Sequence, residues 1–111
     1  MKIKKQEYKN AVVVELHGDF VAEHCKAFED AMTELIQKDV PGIVIDVSKM
    51  PFIDSKGLEQ LLWLKEKCYD QRSQLKVASL NDNLKKILEI TRLENEFDKY
   101  DELGEAVKSF A

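Results

Sequence analysis

At residues 54–57 the chain reads Asp54-Ser55-Lys56-Gly57: an acid, a hydroxyl, a base and a residue without a side chain, in direct succession. Ahead of this stretch runs GIVIDV (42–47), apolar and β-branched as a buried strand is; behind it runs LEQLLWLKEKCYD (58–70), whose apolar residues recur at helical spacing. The four residues therefore occupy the turn between a strand end and a helix start. That turn presents unpaired N–H groups and the positive end of the helix dipole. Ser55 admits two readings there. As a cap, Asp or Ser ahead of an apolar helix contributes about 0.5–2 kcal/mol. As a working group, its hydroxyl could carry a phosphate that finds amide donors waiting, with Gly57 removing a Cβ where the backbone would approach the anion. The residues alone leave both readings open. The capping box is incomplete, since Leu58 and not Glu stands three residues after Ser55. A GxxxxGK phosphate loop and a GxSxG nucleophile elbow are both absent, so neither a nucleotide cradle nor a hydrolase serine has support.

The other chemistry-bearing residues are sparse. Cys25 and Cys68 fall in helical stretches, form no CxxC pair and are tied to no histidine or acid, so they read as free, buried small hydrophobes. Nothing at a recognisable spacing activates either thiol or Ser55 as a nucleophile, and an enzyme is not expected. His17 and His24, with Asp19 and Glu23, read as a solvated turn and helix start; no metal or other cofactor is expected. Asp46, in an otherwise apolar strand, either supports the following turn or faces a helix dipole. In the helix after Ser55, Leu61, Leu64 and Cys68 form one inward arc and Leu58 and Leu62 another. Trp63 falls on the far side with Gln60 and Lys67, either lying on neighbouring surface or anchoring a partner.

These groups need elements to position them, and 111 residues with 44% apolar content suffice for one domain, 1–111, with one core. Residues 2–8 alternate loosely as an edge strand whose lysines, KIKK, resist aggregation; AVVVEL (11–16) is a second strand. From Ala22 to Gln37 the residues Ala22, Cys25, Phe28, Met32, Leu35 and Ile36 mark one face of a helix. LKVASL (75–80) is a strand, Asn81 or Asp82 caps a helix holding Leu84, Ile87, Leu88 and Ile90, residues 97–100 form a last short strand, and Asp101 caps a final helix. Strands joined through helices imply a mixed, mostly parallel sheet of about five strands with four helices, an α/β fold. The net charge of −4 and the lack of a basic stripe argue against nucleic acid. No apolar run approaches the ~18–20 residues that span a bilayer, and MKIKKQEY lacks a signal-peptide core, so a cytoplasmic protein is expected.

The run IVIDVSKMPFIDSKGLEQLL resembles the signature of STAS domains, and within them of bacterial anti-sigma factor antagonists, whose apolar strand leads into a D-S-S/T-G-L turn opening a helix. VVVELHGDF is similar to the family's second strand, and LKVASLNDNLKKILEITRLENEFDKYDELGEAV to its closing segment. The resemblance implies a STAS-type fold and a partner-switching module without a cofactor of its own. Its unphosphorylated form would bind an anti-sigma factor that is also a serine kinase, phosphorylation of Ser55 would abolish binding, and a metal-dependent serine phosphatase would reset it. It implies that Asp54 orients the hydroxyl or helps the kinase recognise it, that Lys56, Gly57, Asp19, Glu59 and Trp63 meet the partner, and that the protein is a monomer. The chain departs from the pattern at Lys56, where the family has Ser or Thr, at Val21, where it has an aspartate, and at Glu59 and Trp63, where many relatives have small residues. A second reading of the same resemblance is a subunit of an ABC-type lipid transporter that binds the ATPase subunit.

Overall fold

A computed structural model describes residues 1–110. Five strands, β1 (Lys2–Glu7), β2 (Val12–His17), β3 (Gly42–Asp46), β4 (Gln74–Ala78) and β5 (Asp98–Tyr100), lie side by side in chain order. β1 is antiparallel to β2, and every later neighbour is parallel. The parallel pairs need crossovers, which α1 (Cys25–Gln37), α2 (Ser55–Asp70) and α3 (Asp82–Ile90) supply; α4 (Leu103–Lys108) follows β5. The expected mixed sheet and four helices are thus present. The expected helix over residues 22–37 is divided: Ala22–His24 form a 3-10 turn ahead of α1, and Ala22 is exposed.

The strand register aligns side chains into rows across the sheet. Val12, Ile43 and Leu75 form one row, and Val14, Ile45 and Val77 the next. This face packs under Phe28, Met32 and Leu35 of α1, Leu58, Leu61 and Leu64 of α2, and Leu84 and Leu88 of α3. Alternation sends Val13, Val44 and Lys76 to the opposite face. There α4 and the Phe110 that follows it cover the sheet, with Ala106 fully buried and Leu103, Val107 and Phe110 packed around it.

Lys76 is the unexpected occupant of that second face, only 5% exposed. Its Nζ lies 2.7 Å from Asp98 Oδ2 and 3.2 Å from the Tyr100 hydroxyl, with the Phe110 ring centroid 5.0 Å away. Burial pulls the ammonium pKa down, but the hydrogen bonds it donates to Asp98 and Tyr100, with the Asp98 charge, outweigh it and leave the group above the ordinary lysine value.

Three local expectations are corrected. Ile90 is 71% exposed, because the apolar stripe of α3 ends at Leu88. Asn81 does cap α3, its Oδ1 accepting from Leu84 N at 2.7 Å, but Asp101 does not cap α4; the cap position is Glu102, and Asp101 instead pairs with Lys85 at 3.1 Å. Cys68 is buried as expected, whereas Cys25 is only half-buried.

Burial pushes the Cys68 thiol up to about 11. A thiol or ammonium whose folded pKa is raised contributes stability in full below its unfolded value and loses it as pH rises through the folded value. Stability measured by urea unfolding is therefore expected to fall between about pH 9 and 11, by on the order of 2 kcal/mol from Cys68. In Cys68→Ala that thiol-dependent part of the slope disappears; an unchanged slope in the variant contradicts the assignment.

Candidate functional site

The turn expected to carry chemistry is assembled from two loops at the carboxyl ends of β2 and β3. After β3, buried Asp46 accepts from Ser48 N at 3.0 Å and turns the chain, the first of the two roles open to it from sequence. After β2, Gly18 adopts φ +102°, a left-handed conformation that a side chain would strain. The loops are then laced together by their backbones. Gly18 N donates to Lys49 O, Phe20 N to Phe52 O and Asp54 N to Phe20 O, at 2.9, 2.9 and 3.1 Å.

Asp54 completes the lacing. Its backbone is extended, it is the N-cap of α2, and its Oδ1 accepts from Gly57 N at 2.8 Å. Its Oδ2 accepts from Ala22 N at 3.1 Å, across 32 residues of chain. Val21, at the cap position of the 3-10 turn, has no side chain able to cap it. One carboxylate therefore caps two helical starts. Both oxygens are engaged by backbone N–H groups, so Asp54 holds the turn.

Gly57 also has a different purpose from the one expected. It is buried, and a Cβ there would lie 2.6 Å from Phe20 O and 2.7 Å from Ile53 Cγ1. The missing side chain lets α2 seat on the β2 loop; it does not clear space for an anion.

Ser55 stands just beyond the cap, as the first residue of α2, and is exposed. Asp54 takes Gly57 N with its side chain and Leu58 N with its carbonyl. The N–H groups of Ser55 and Lys56 are left as the unpaired donors of this first turn among the described residues. Lys56 and Glu59 are exposed and 3.5 Å apart, and Asp19 is exposed beside Phe20 on the facing loop. Trp63 lies elsewhere. It is half-buried and packed against the main core, and Gln60, one turn earlier, reaches Glu29 of α1 at 3.5 Å. The face that seemed remote from the core in sequence is the one turned to α1.

Phe52 went unremarked in the sequence, where it reads as part of an apolar run. It is 48% exposed, between buried Met50 and Ile53; the signal available was its place after Pro51 and out of phase with Ile53. Burial, and then the charges of Asp54 and Glu59, push the Cys25 thiol up, which disfavours a thiolate beside the turn. His17 pairs with Glu15 at 2.7 Å, and no group of three or more His, Cys, Asp or Glu among the described residues is placed to hold a metal ion. No helix among them is long and apolar enough to cross a membrane.

A mixed sheet with its helices largely on one face and a Ser-bearing helix start at the strand ends defines a class, and the family comparison agrees. The chain belongs to the STAS domain family, whose model matches residues 2–106. No curated protein sequence matches it. Among solved structures it is similar to one described as a candidate anti-sigma factor antagonist of Thermotoga maritima, with 18% identity, TM-score 0.90, and 97% of this chain and 93% of that one covered. It is similar also to an anti-sigma factor antagonist of Mycobacterium paratuberculosis, with 23% identity, TM-score 0.87, and coverage of 98% and 92%. A third is the Bacillus cell fate determinant SpoIIAA in its phosphorylated form, with 13% identity, TM-score 0.78, and coverage of 99% and 100%. At these identities the likeness establishes the fold.

Two substitutions test the architecture of the turn. Asp54→Ala removes both caps and is expected to lower stability by about 1–3 kcal/mol in urea unfolding. Gly57→Ala forces its Cβ against a carbonyl and is expected to cost a similar amount, about 1–3 kcal/mol. A loss below ~0.5 kcal/mol in either would contradict the bonds described.

Proposed function

We propose that this chain is an anti-sigma factor antagonist, a binding module switched by phosphorylation of Ser55. The unmodified form binds an anti-sigma factor that is also a serine kinase and so releases a sigma factor. The phosphorylated form lets go, and a metal-dependent serine phosphatase restores it. Transfer chemistry, with its nucleotide and metal, belongs to the kinase and the phosphatase; this chain presents the acceptor. Membership of the STAS family and the fold shared with antagonists support the reading.

The observation that carries it is the exposure of Ser55 on a turn fixed from beneath by Asp54 and Gly57. A kinase can reach the hydroxyl, and the backbone behind it needs no rearrangement. Phosphorylation adds about −1.5 to −2 charges at pH 7. Two free N–H groups and the helix dipole stabilise that anion on the protein's own side. Across a docked interface it meets no such provision, and a penalty of ~4 kcal/mol weakens affinity about a thousandfold. The switch then works through charge and shape at a surface, with the fold unchanged.

The test uses the serine-kinase anti-sigma factors of the source organism, purified, with ATP and Mg²⁺. One of them is expected to add a single phosphate to the wild type and none to Ser55→Ala. The phosphorylated chain is expected to bind that kinase about a thousandfold more weakly while its circular dichroism spectrum stays the same. Equal labelling of Ser55→Ala, or unchanged affinity after phosphorylation, overturns the reading. Copurification with a transporter ATPase subunit in place of a kinase favours the transport role.

A further inference from the structure

We infer that Lys56 is the counter-ion of a phosphate on Ser55: on modification its ammonium leaves Glu59 for the phosphate, and the Glu59 carboxylate is left bare on α2. The inference rests on the acceptor role proposed for Ser55 above and names how the new charge is handled at that same site.

In the unmodified chain Lys56 Nζ stands 3.5 Å from Glu59 Oε2, one turn along α2, with the two side chains 62% and 64% exposed. A pair so placed in solvent holds weakly and exchanges readily. Among the described residues Glu59 is the one carboxylate within ion-pair distance of Lys56. Asp54, the nearest acid in sequence, does not compete for the ammonium: its Oδ1 accepts from Gly57 N at 2.8 Å and its Oδ2 from Ala22 N at 3.1 Å. Asp19 and Glu23, exposed on the facing loop and the 3-10 turn, are acids and offer a phosphate no charge. Lys49, earlier in the loop, is drawn to Glu15 at 3.4 Å. Lys56 is therefore the cation that the turn itself supplies.

The backbone brings the phosphate within reach. Asp54 takes Gly57 N with its side chain and Leu58 N with its carbonyl, so the donors left at the start of α2 are the N–H groups of Ser55 and Lys56. A phosphate on the Ser55 oxygen that accepts from these amides lies over the backbone of Lys56. The four-carbon stem of the lysine then carries its ammonium to the same anion. Charge decides the competition. The phosphate carries about −1.5 to −2 charges at pH 7, against a single charge on Glu59, and its bonds from the ammonium are charge-assisted. Before modification Lys56 and Glu59 cancel. Afterwards a docked partner meets a partly neutralised phosphate and, one turn further along α2, an unpaired carboxylate. The negative signal is thus carried by two side chains.

The test needs no kinase. Phosphoserine is genetically encoded at position 55 of the full chain, and its second pKa, ordinarily about 6, is followed by phosphorus-31 NMR at low ionic strength. Lys56→Gln is expected to raise that pKa by about 0.5 or more, a difference that shrinks as salt is added. The same rise is expected in a Glu59→Gln background, because the lysine has already left Glu59. A rise of about 0.2 or less, the size that a distant charge gives, overturns the counter-ion. A rise seen only when Glu59 is removed means that the ammonium stays with Glu59, and overturns the exchange. These readings stand apart from the kinase test above: a chain that no kinase labels, with the pKa difference intact, keeps the ion pair and loses the switch.

Discussion

The site depends on one carboxylate shared between two helical starts. Asp54 Oδ1 holds the first turn of α2 and Oδ2 holds the first residue of the 3-10 turn ahead of α1. Each is a helix cap of the kind that contributes about 0.5–2 kcal/mol. Their value lies in sharing: the two loops cannot move apart without losing a cap on each side. Gly57 reinforces this by contact, its Cα seated against the carbonyl of Phe20. Ser55 can be both accessible and fixed because the residues on either side of it do the holding.

The two faces of the sheet divide the remaining work. The face under α1, α2 and α3 is apolar throughout and supplies most of the buried area. The face under α4 is smaller and includes a charge, Lys76, compensated by Asp98 and Tyr100. A buried ammonium is tolerated where partners replace water. It also ties β4 to β5 at a position where the last strand has only three residues to offer.

Much of this was legible from sequence. The β-branched runs 12–16 and 43–47 and the helical spacing of Phe28, Met32 and Leu35 mark elements whose burial follows from local pattern, and the order of the elements implies the sheet. What could not be read depends on contacts between distant segments. Nothing near Asp54 signals that Ala22 N, 32 residues earlier, needs an acceptor. LKVASL reads as a strand, but nothing in it signals that Lys76 lies buried beneath α4. Helical phase fixes only the angle of Trp63 to Leu61 and Leu64 and leaves open whether it lies on neighbouring surface or meets a partner; the packing of α1 against α2 decides what lies there. Gly57 suggested an anion because a glycine by a helix start suits both a ligand and a backbone neighbour, and only the packed structure distinguishes them.

The sheet is unusual among parallel architectures in that its strands stand in space in the order in which they are made. Each new strand has to find only the one before it, with a helix to bring it there, so the chain closes short loops in succession. The ribosome can lay such a sheet down from one edge to the other. The partners that residues 52–54 bond, Phe20 and Ala22, likewise precede them in the chain, so the turn asks nothing of the carboxyl-terminal half.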